Sequence, residues 1–261
     1  MQRFRILLLA PLVMLATIAL SAAAQDRKLR IGVEGAYPPF SQVGADGKVA
    51  GFDIDIAHAL CAELKARCTL VTQEFDGMIP SLIARKFDAV IASMSITEER
   101  KKAVDFTDKY YQSPNRMIAK VGVFADATPA TLKGKRIGVQ RTTIHDRFAT
   151  DTFKDGTIVR YAKQSEVFLD LAAGRIDAAL MDAVPADTGF LKKPAGKGFG
   201  FVGAAFNDPK YFGHGAGIAV RKGDTLREEL NRALANIRGN GTYKKIQDKY
   251  FEFDIYGAVV K

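Results

Sequence analysis

The chain has 261 residues, 48% of them apolar, and a formal net charge of +9, enough for one large domain or two lobes with cores of their own. Basic and acidic residues are interspersed, and the densest run, "EERKK", carries both signs, so the excess reads as solvated surface and not as a nucleic-acid stripe. His58, His145 and His214 are scattered and no His or Cys pair has ligand spacing, so no metal and no cofactor is expected.

The first element is a leader. "MQRFR" is a basic start, "ILLLAPLVMLATIAL" an apolar run, and "SAAAQ" offers small residues for cleavage near Ala24. The run is short for a membrane-spanning helix of ~20 residues, the alternative reading. Loss of residues 1–24 removes Arg3 and Arg5 and leaves 237 residues (261 − 24) at +7 (9 − 2), expected to be exported and soluble. Export argues against a nucleic-acid partner.

"LRIGVEGAY" at 29–37 reads as a strand that ends on Glu34 and Tyr37. "GFDIDIAHALCAELKA" sets Phe52, Ile56, Leu60 and Leu64 along one helical stripe. Cys61 lies in that helix and Cys68 opens the β-rich "CTLVTQEF". An oxidising compartment favours their pairing, and two free buried thiols are the alternative. "PSLIARKFDAVIAS" at 80–93 reads as a helix and a buried strand that runs into Ser93 and Ser95. Ser95 stands three residues before Glu98, a capping box for a helix "ITEERKKAV". Helical side chains lean toward the N-terminus, which lets Arg100 reach back over the first turn. Pro114 in "YYQSPN" then marks a boundary.

The pattern now repeats. "KRIGVQRTT" at 135–143 matches 29–37, and "LDLAAGRIDAALMD" at 169–182 matches 80–93, which makes Asp182 the equivalent of Ser93. Two βαβ copies predict an α/β fold of two similar lobes, each a mainly parallel sheet flanked by helices. The Gly-rich "GKGFGFVG" lacks the residues of a phosphate loop. Two C-terminal helices follow: one with Leu226, Leu230 and Leu234 on one face and Asp224 as its cap, the other restarting at Thr242.

Ligands of parallel α/β sheets sit beyond the carboxyl ends of strands. Those ends carry Glu34 and Tyr37, Ser93 and Ser95, Gln140 to Thr143, and Asp182. Arg100 suits a carboxylate bidentately, helped by free amides at its helix start; the alternative is an Arg100 facing water beside Glu98 and Glu99. Thr143 and Ile144 offer a second helix N-terminus, or an ordinary cap. Asp182, with the Ser95 hydroxyl, suits an ammonium group, unless it is a cap or a surface charge. An anion site and a cation site in one cleft describe a zwitterion such as an α-amino acid. Glu34 would meet a cationic side chain, and Tyr37 and Phe75 would sandwich an aliphatic stem or a guanidinium, with core packing the alternative for Phe75.

The chain resembles the periplasmic solute-binding proteins of ABC-type amino-acid importers, in the lysine/arginine/ornithine- and histidine-binding branch. The resemblance rests on "LRIGVEGAYPPFS", "GFDIDIAHALCAEL", "IPSLIARKFDAVIASMSITEERKKAVDFTDKYY", "LKGKRIGVQ", "GRIDAALMD" and "GTYKKIQDKYF". It implies a type II-like periplasmic binding protein with lobes joined by two strand-like crossings: residues 25–113, then 114–210, then a return at 211–261. It also implies a periplasmic location, a Cys61–Cys68 disulfide, and a carboxylate held by Arg100, the Ser93 amide and an amide near Thr143 and Ile144. Asp182 and Ser95 would hold the α-ammonium, Glu34 the cationic side chain, and Tyr37 and Phe75 the stacking positions. The chain departs from the branch where Ala92 replaces a serine, Ile144 and His145 replace Thr-Gln, and Glu34 replaces an aspartate. These departures touch side-chain selectivity and make an opine or a polar neutral amino acid conceivable.

The function implied is capture of a free basic L-amino acid (arginine, lysine, ornithine or histidine) by a monomer that delivers it to a membrane permease. Nothing in the sequence demands an enzyme, since no nucleophile–base pair stands out. A prephenate- or arogenate-dehydratase-like cleft and a sensory ligand-binding protein are the alternatives; an ammonium partner at Asp182 speaks against the first.

Overall fold

The structure is a computed structural model that describes residues 27–257. The leader and its cleavage near Ala24 lie outside the described residues. Two five-stranded sheets form the frame. In the first the order is Arg67–Thr72, Lys28–Val33, Ala89–Val90, Ala216–Arg221, Val104–Tyr111. In the second it is Thr157–Tyr161, Arg136–Gln140, Ala178–Asp182, Asn115–Lys120, Phe199–Phe206. The three parallel strands have the same order in both sheets, second-first-third in chain order, so the degenerate repeat is a repeat of topology in that part. In each sheet the first three strands are parallel, and one strand, Ala216–Arg221 or Asn115–Lys120, runs against the rest. The mainly parallel expectation therefore holds. The reversed strand in each case is one by which the chain enters from the other lobe.

The chain crosses between sheets twice, after Tyr111 and after Phe206. The first crossing, between Tyr111 and Asn115, contains Pro114. The second falls later than the return at residue 211, because Tyr211 and Phe212 pack into the second lobe's core against Phe148. The chain rejoins the first sheet at Ala216.

The helix Phe52–Glu63 buries Phe52, Ile56 and Leu60 against the first sheet, as its stripe requires, and Leu64 packs there as its cap. It begins after Gly51, whose φ is 138°. A Cβ there would stand 2.3 Å from the Phe40 carbonyl oxygen, so no other residue fits. Helix Leu226–Gly239 lays Leu226, Leu230 and Leu234 into the same core. Its assigned cap position is Thr225, yet the Asp224 carboxylate accepts from the Leu226 amide at 3.1 Å, so Asp224 caps from one residue further out. A small antiparallel sheet, Ala36–Tyr37, Ser41–Val43 and Val49–Ala50, fills the connection after the first strand.

Cys61 and Cys68 form a disulfide that ties this helix to the edge strand of the first sheet. The bond closes a loop with a sequence separation of 7. Loop-closure entropy for so short a loop is about 2 kcal/mol. Reduction should lower the unfolding free energy by that amount, read as a fall in the denaturant midpoint with an unchanged slope. No change in midpoint would mean that the link contributes nothing.

Candidate functional site

The carboxyl ends of the parallel strands of both sheets face one cleft. Two non-glycine residues there, Ser93 and Thr142, have left-handed φ of 53° and 60°. Such conformations cost about 1–3 kcal/mol each and persist where surroundings hold them. Ser93 is held by a buried triad: its amide donates to Tyr110 Oη at 3.1 Å, its Oγ donates to Asp53 Oδ2 at 3.0 Å, and Tyr110 Oη donates to Asp53 Oδ1 at 2.9 Å. Burial pushes the Asp53 carboxyl up to about 7, against the pull of the Tyr110 and Ser93 hydrogen bonds. The Ser93 amide, implied above as a carboxylate donor, is thus committed to Tyr110 in this structure, and its hydroxyl turns into the core.

One pocket between the lobes gathers the residues singled out in the sequence. Glu34, Tyr37, Phe75, Ala92, Ser93, Ser95 and Arg100 line it from the first lobe, and Thr143, Ile144 and Asp182 from the second. Gln140, His145 and Gln164 complete the wall.

Arg100 is the cationic end. One guanidinium nitrogen donates to the Ser95 carbonyl at 3.0 Å and another to the Thr142 carbonyl of the other lobe at 3.5 Å, while the group lies 5.3 Å from the centre of the Phe75 ring. No carboxylate stands within ion-pair distance of it among the described residues, and burial pushes its pKa down to about 10 despite the attraction of Asp182. The cap of its helix is Thr97, not Ser95: Thr97 Oγ1 accepts from the Arg100 amide at 3.2 Å. Ser95 is still bridged to Ala216 in sheet fashion, so the helix cannot start there. That helix is the single turn Glu98–Lys101, shorter than "ITEERKKAV", because the chain enters a strand at Val104.

Two carboxylates form the anionic side. Tyr37 Oη donates to Asp182 Oδ2 across the lobes at 2.5 Å, and His145 Nε2 lies 3.8 Å from Asp182 Oδ1. Burial pushes Asp182 up to about 7, with Tyr37 and Arg100 pulling the other way. Glu34 is likewise pushed up to about 7 by burial, and Gln140 Nε2 donates to its Oε1 at 2.6 Å. Tyr37, expected as a stacking platform, stacks on Phe40 at 5.9 Å and spends its hydroxyl on Asp182. Phe75 faces Arg100. Thr143 caps the second-lobe helix Ile144–Thr152, accepting from the Asp146 amide at 3.2 Å. The first amides of that helix have no intrahelical partner.

Gln140, His145 and Gln164 lie outside the set that the sequence singles out for the ligand. Gln140 carries a signal, since the repeat aligns it with Glu34. His145 lies next to Ile144, but as a lone histidine it invites only the question of a metal. Its Nε2 is 2.8 Å from Asn115 Oδ1, and burial, aided by Arg100, pushes its pKa down to about 3, so it is a neutral hydrogen-bonding wall. Gln164 opens the helix Gln164–Ala172, and no pattern marks it. Among the described residues no cluster of His, Cys, Asp and Glu side chains is arranged to hold a metal ion.

The chain has known relatives. The sequence profile of the bacterial extracellular solute-binding proteins, family 3, matches residues 29–253. The L-arginine-binding protein of Pseudomonas aeruginosa is 51% identical over 94% of this chain and 95% of its own length. The lysine/arginine/ornithine-binding periplasmic protein of Escherichia coli is 46% identical, over 97% of this chain and 98% of its own. Among solved structures, a Salmonella typhimurium periplasmic binding protein of high arginine specificity superposes with a TM-score of 0.79 at 37% identity, covering 86% of this chain and 99% of the other.

Proposed function

We propose that this chain, which belongs to the bacterial extracellular solute-binding proteins, family 3, is an exported receptor that encloses a free basic L-amino acid between its lobes. It acts by binding, as its relatives do, and hands the amino acid to the membrane permease of an ABC importer as a periplasmic monomer cleaved near Ala24. One observation carries the reading: among the described residues the pocket holds a half-buried guanidinium with no carboxylate inside ion-pair distance and two buried carboxyls with no cation inside that distance, since the His145 ring beside Asp182 is neutral. An α-carboxylate on Arg100, an α-ammonium on Asp182 and a cationic side chain on Glu34 balance all three.

Calorimetry against a panel of amino acids tests this. Arginine, lysine, ornithine or histidine should give saturable heat, and silence from all four would end the proposal. Glu34→Gln should weaken arginine and lysine by about 10-fold or more relative to neutral amino acids, since a hydrogen bond to a charged group is worth about 1.5–3 kcal/mol. Equal losses for every ligand would remove Glu34 as the reader of the side chain.

A further inference from the structure

Glu74 and Asp76 stand on either side of Phe75 in the first lobe, and Arg141 follows the strand Arg136–Gln140 of the second. An Arg141 Nη donates to Glu74 Oε2 at 3.0 Å, and its Nε lies 2.7 Å from Asp76 Oδ2, an ion pair without the alignment of a hydrogen bond. The Arg141 amide donates to the Tyr161 carbonyl at 2.9 Å, which anchors the residue to the second sheet. Among the described residues no other cation stands within ion-pair distance of Glu74 or Asp76, and no other carboxylate within that distance of Arg141. The three side chains are between 29% and 45% exposed, and none lines the pocket. Arg147 Nη1 and Glu99 Oε2 also face each other across the cleft, but at 4.0 Å, and Glu99 is already paired with Lys102 at 2.8 Å.

We infer that Arg141 is a positioning residue: by pairing with Glu74 and Asp76 it latches the lobes in the closed form, and so strengthens the binding of every amino acid while touching none. This inference rests on the function proposed above. Both pairs run from one lobe to the other, so they exist only while the cleft is closed. Opening leaves two carboxylates on one rim and a cation on the other, each returned to water. Inside the cleft, Arg100, Asp182 and Glu34 are charges without partners until a ligand arrives, which opposes closure. The latch acts against that opposition from outside the pocket. A ligand that needs the closed form binds more weakly by the fraction of molecules that are closed, so a contact favouring closure raises every affinity by one factor. That factor appears mainly as slower dissociation, because the pairs must break before the ligand leaves. Partial exposure keeps it modest and makes it sensitive to salt.

The test is calorimetry and stopped-flow dissociation with arginine, lysine and histidine, on the exported chain and on Arg141→Met. At about 20 mM salt the variant should lose about 3- to 10-fold in affinity, by the same factor for each ligand that binds and mostly in the dissociation rate. At about 0.5 M salt the loss should shrink below about twofold. Reversing both rims, Arg141→Glu with Glu74→Lys and Asp76→Lys, should restore wild-type affinity to within about twofold, whereas Arg141→Glu alone should bind more weakly than Arg141→Met. An affinity unchanged in Arg141→Met at low salt overturns the inference. So does a loss confined to one ligand, or one that salt does not reduce. If the triple variant fails to fold, Glu74→Gln with Asp76→Asn decides, and must reproduce the loss of Arg141→Met. A wild type that binds no amino acid defeats the proposed function alone. The latch is then read from X-ray scattering of the ligand-free chain: salt should raise the radius of gyration of wild type and leave Arg141→Met unchanged, and the same response in both overturns it.

Discussion

Arg100→Ala should lose the binding of every amino acid, whatever its side chain, while the protein itself stays folded. Truncating one partner of a buried, hydrogen-bonded charge pair costs about 2–5 kcal/mol, a factor of about 30 to several thousand in affinity. The loss should be common to all ligands because Arg100 sits away from Glu34, beside the Ser95 carbonyl and over the Phe75 ring. Stability is the opposite readout. The guanidinium is half-buried with no carboxylate inside ion-pair distance among the described residues, and burial pushes its pKa down to about 10. Removing it gives up two hydrogen bonds to carbonyls and one contact with Phe75, and relieves a charge held out of water. Thermal unfolding of the variant without ligand should therefore match wild type within a few degrees. The ligand-induced rise in melting temperature should vanish. Arg100→Lys keeps the charge and loses the fork, and should fall between the two. A variant that still binds amino acids within about threefold of wild type would show that the carboxylate is held elsewhere, with the helix amides at Thr143 and Ile144 the first alternative.

What the sequence reveals of this molecule follows the range of the interactions. The two lobes are legible because apolar strands, a helical stripe and a twofold repeat are local patterns, and the parallel βαβ rule turns them into strand ends. Glu34, Asp182 and Arg100 are legible for the same reason: each stands where a strand or helix begins or ends. The small sheet over Ala36–Ala50 is not, since strands of two or three residues have no period to read. The cap at Thr97 is hidden because Ser95 is drawn into a bridge with Ala216, distant in sequence. The contacts Tyr37 to Asp182 and Gln140 to Glu34 depend on how one lobe meets the other, which no local pattern encodes. The repeat comes nearest, because it aligns Gln140 with Glu34 without any coordinate. Ser93 is the instructive case. Its place at the strand end is legible, but its side chain and amide are consumed by Asp53 and Tyr110, a buried polar cluster that alternation of apolar residues cannot reveal.

Asp182→Asn should weaken every α-amino acid and also change how binding depends on pH. Asp182 is pushed up from 3.8 to about 7, first by burial, with the Tyr37 hydrogen bond and Arg100 opposing. An α-ammonium beside it favours the ionised form, so the ligand lowers this pKa and binding releases a proton at low pH. Affinity is then full above about 7 and falls as pH drops through that value, by up to about tenfold per pH unit for one linked proton. A basic ligand should show a steeper fall, because Glu34 is also pushed up to about 7 and must ionise to meet the side chain. The carboxamide of the variant cannot ionise. The variant should lose about 30- to several-thousand-fold in affinity at high pH, and the dependence that remains for neutral amino acids should be flat. Stability without ligand moves the other way. A carboxyl whose folded pKa lies above its unfolded value stabilises the fold most below the unfolded pKa, and that contribution is lost as pH rises from 3.8 through about 7. Wild type therefore bears a growing cost over that window and the asparagine variant does not. Melting temperatures of the two should draw apart as pH rises, in favour of the variant, and the ligand should restore wild type alone. Curves that stay parallel from about pH 4 to about pH 8 would show that Asp182 is already balanced within the protein, by Arg100, and that the ammonium lies elsewhere.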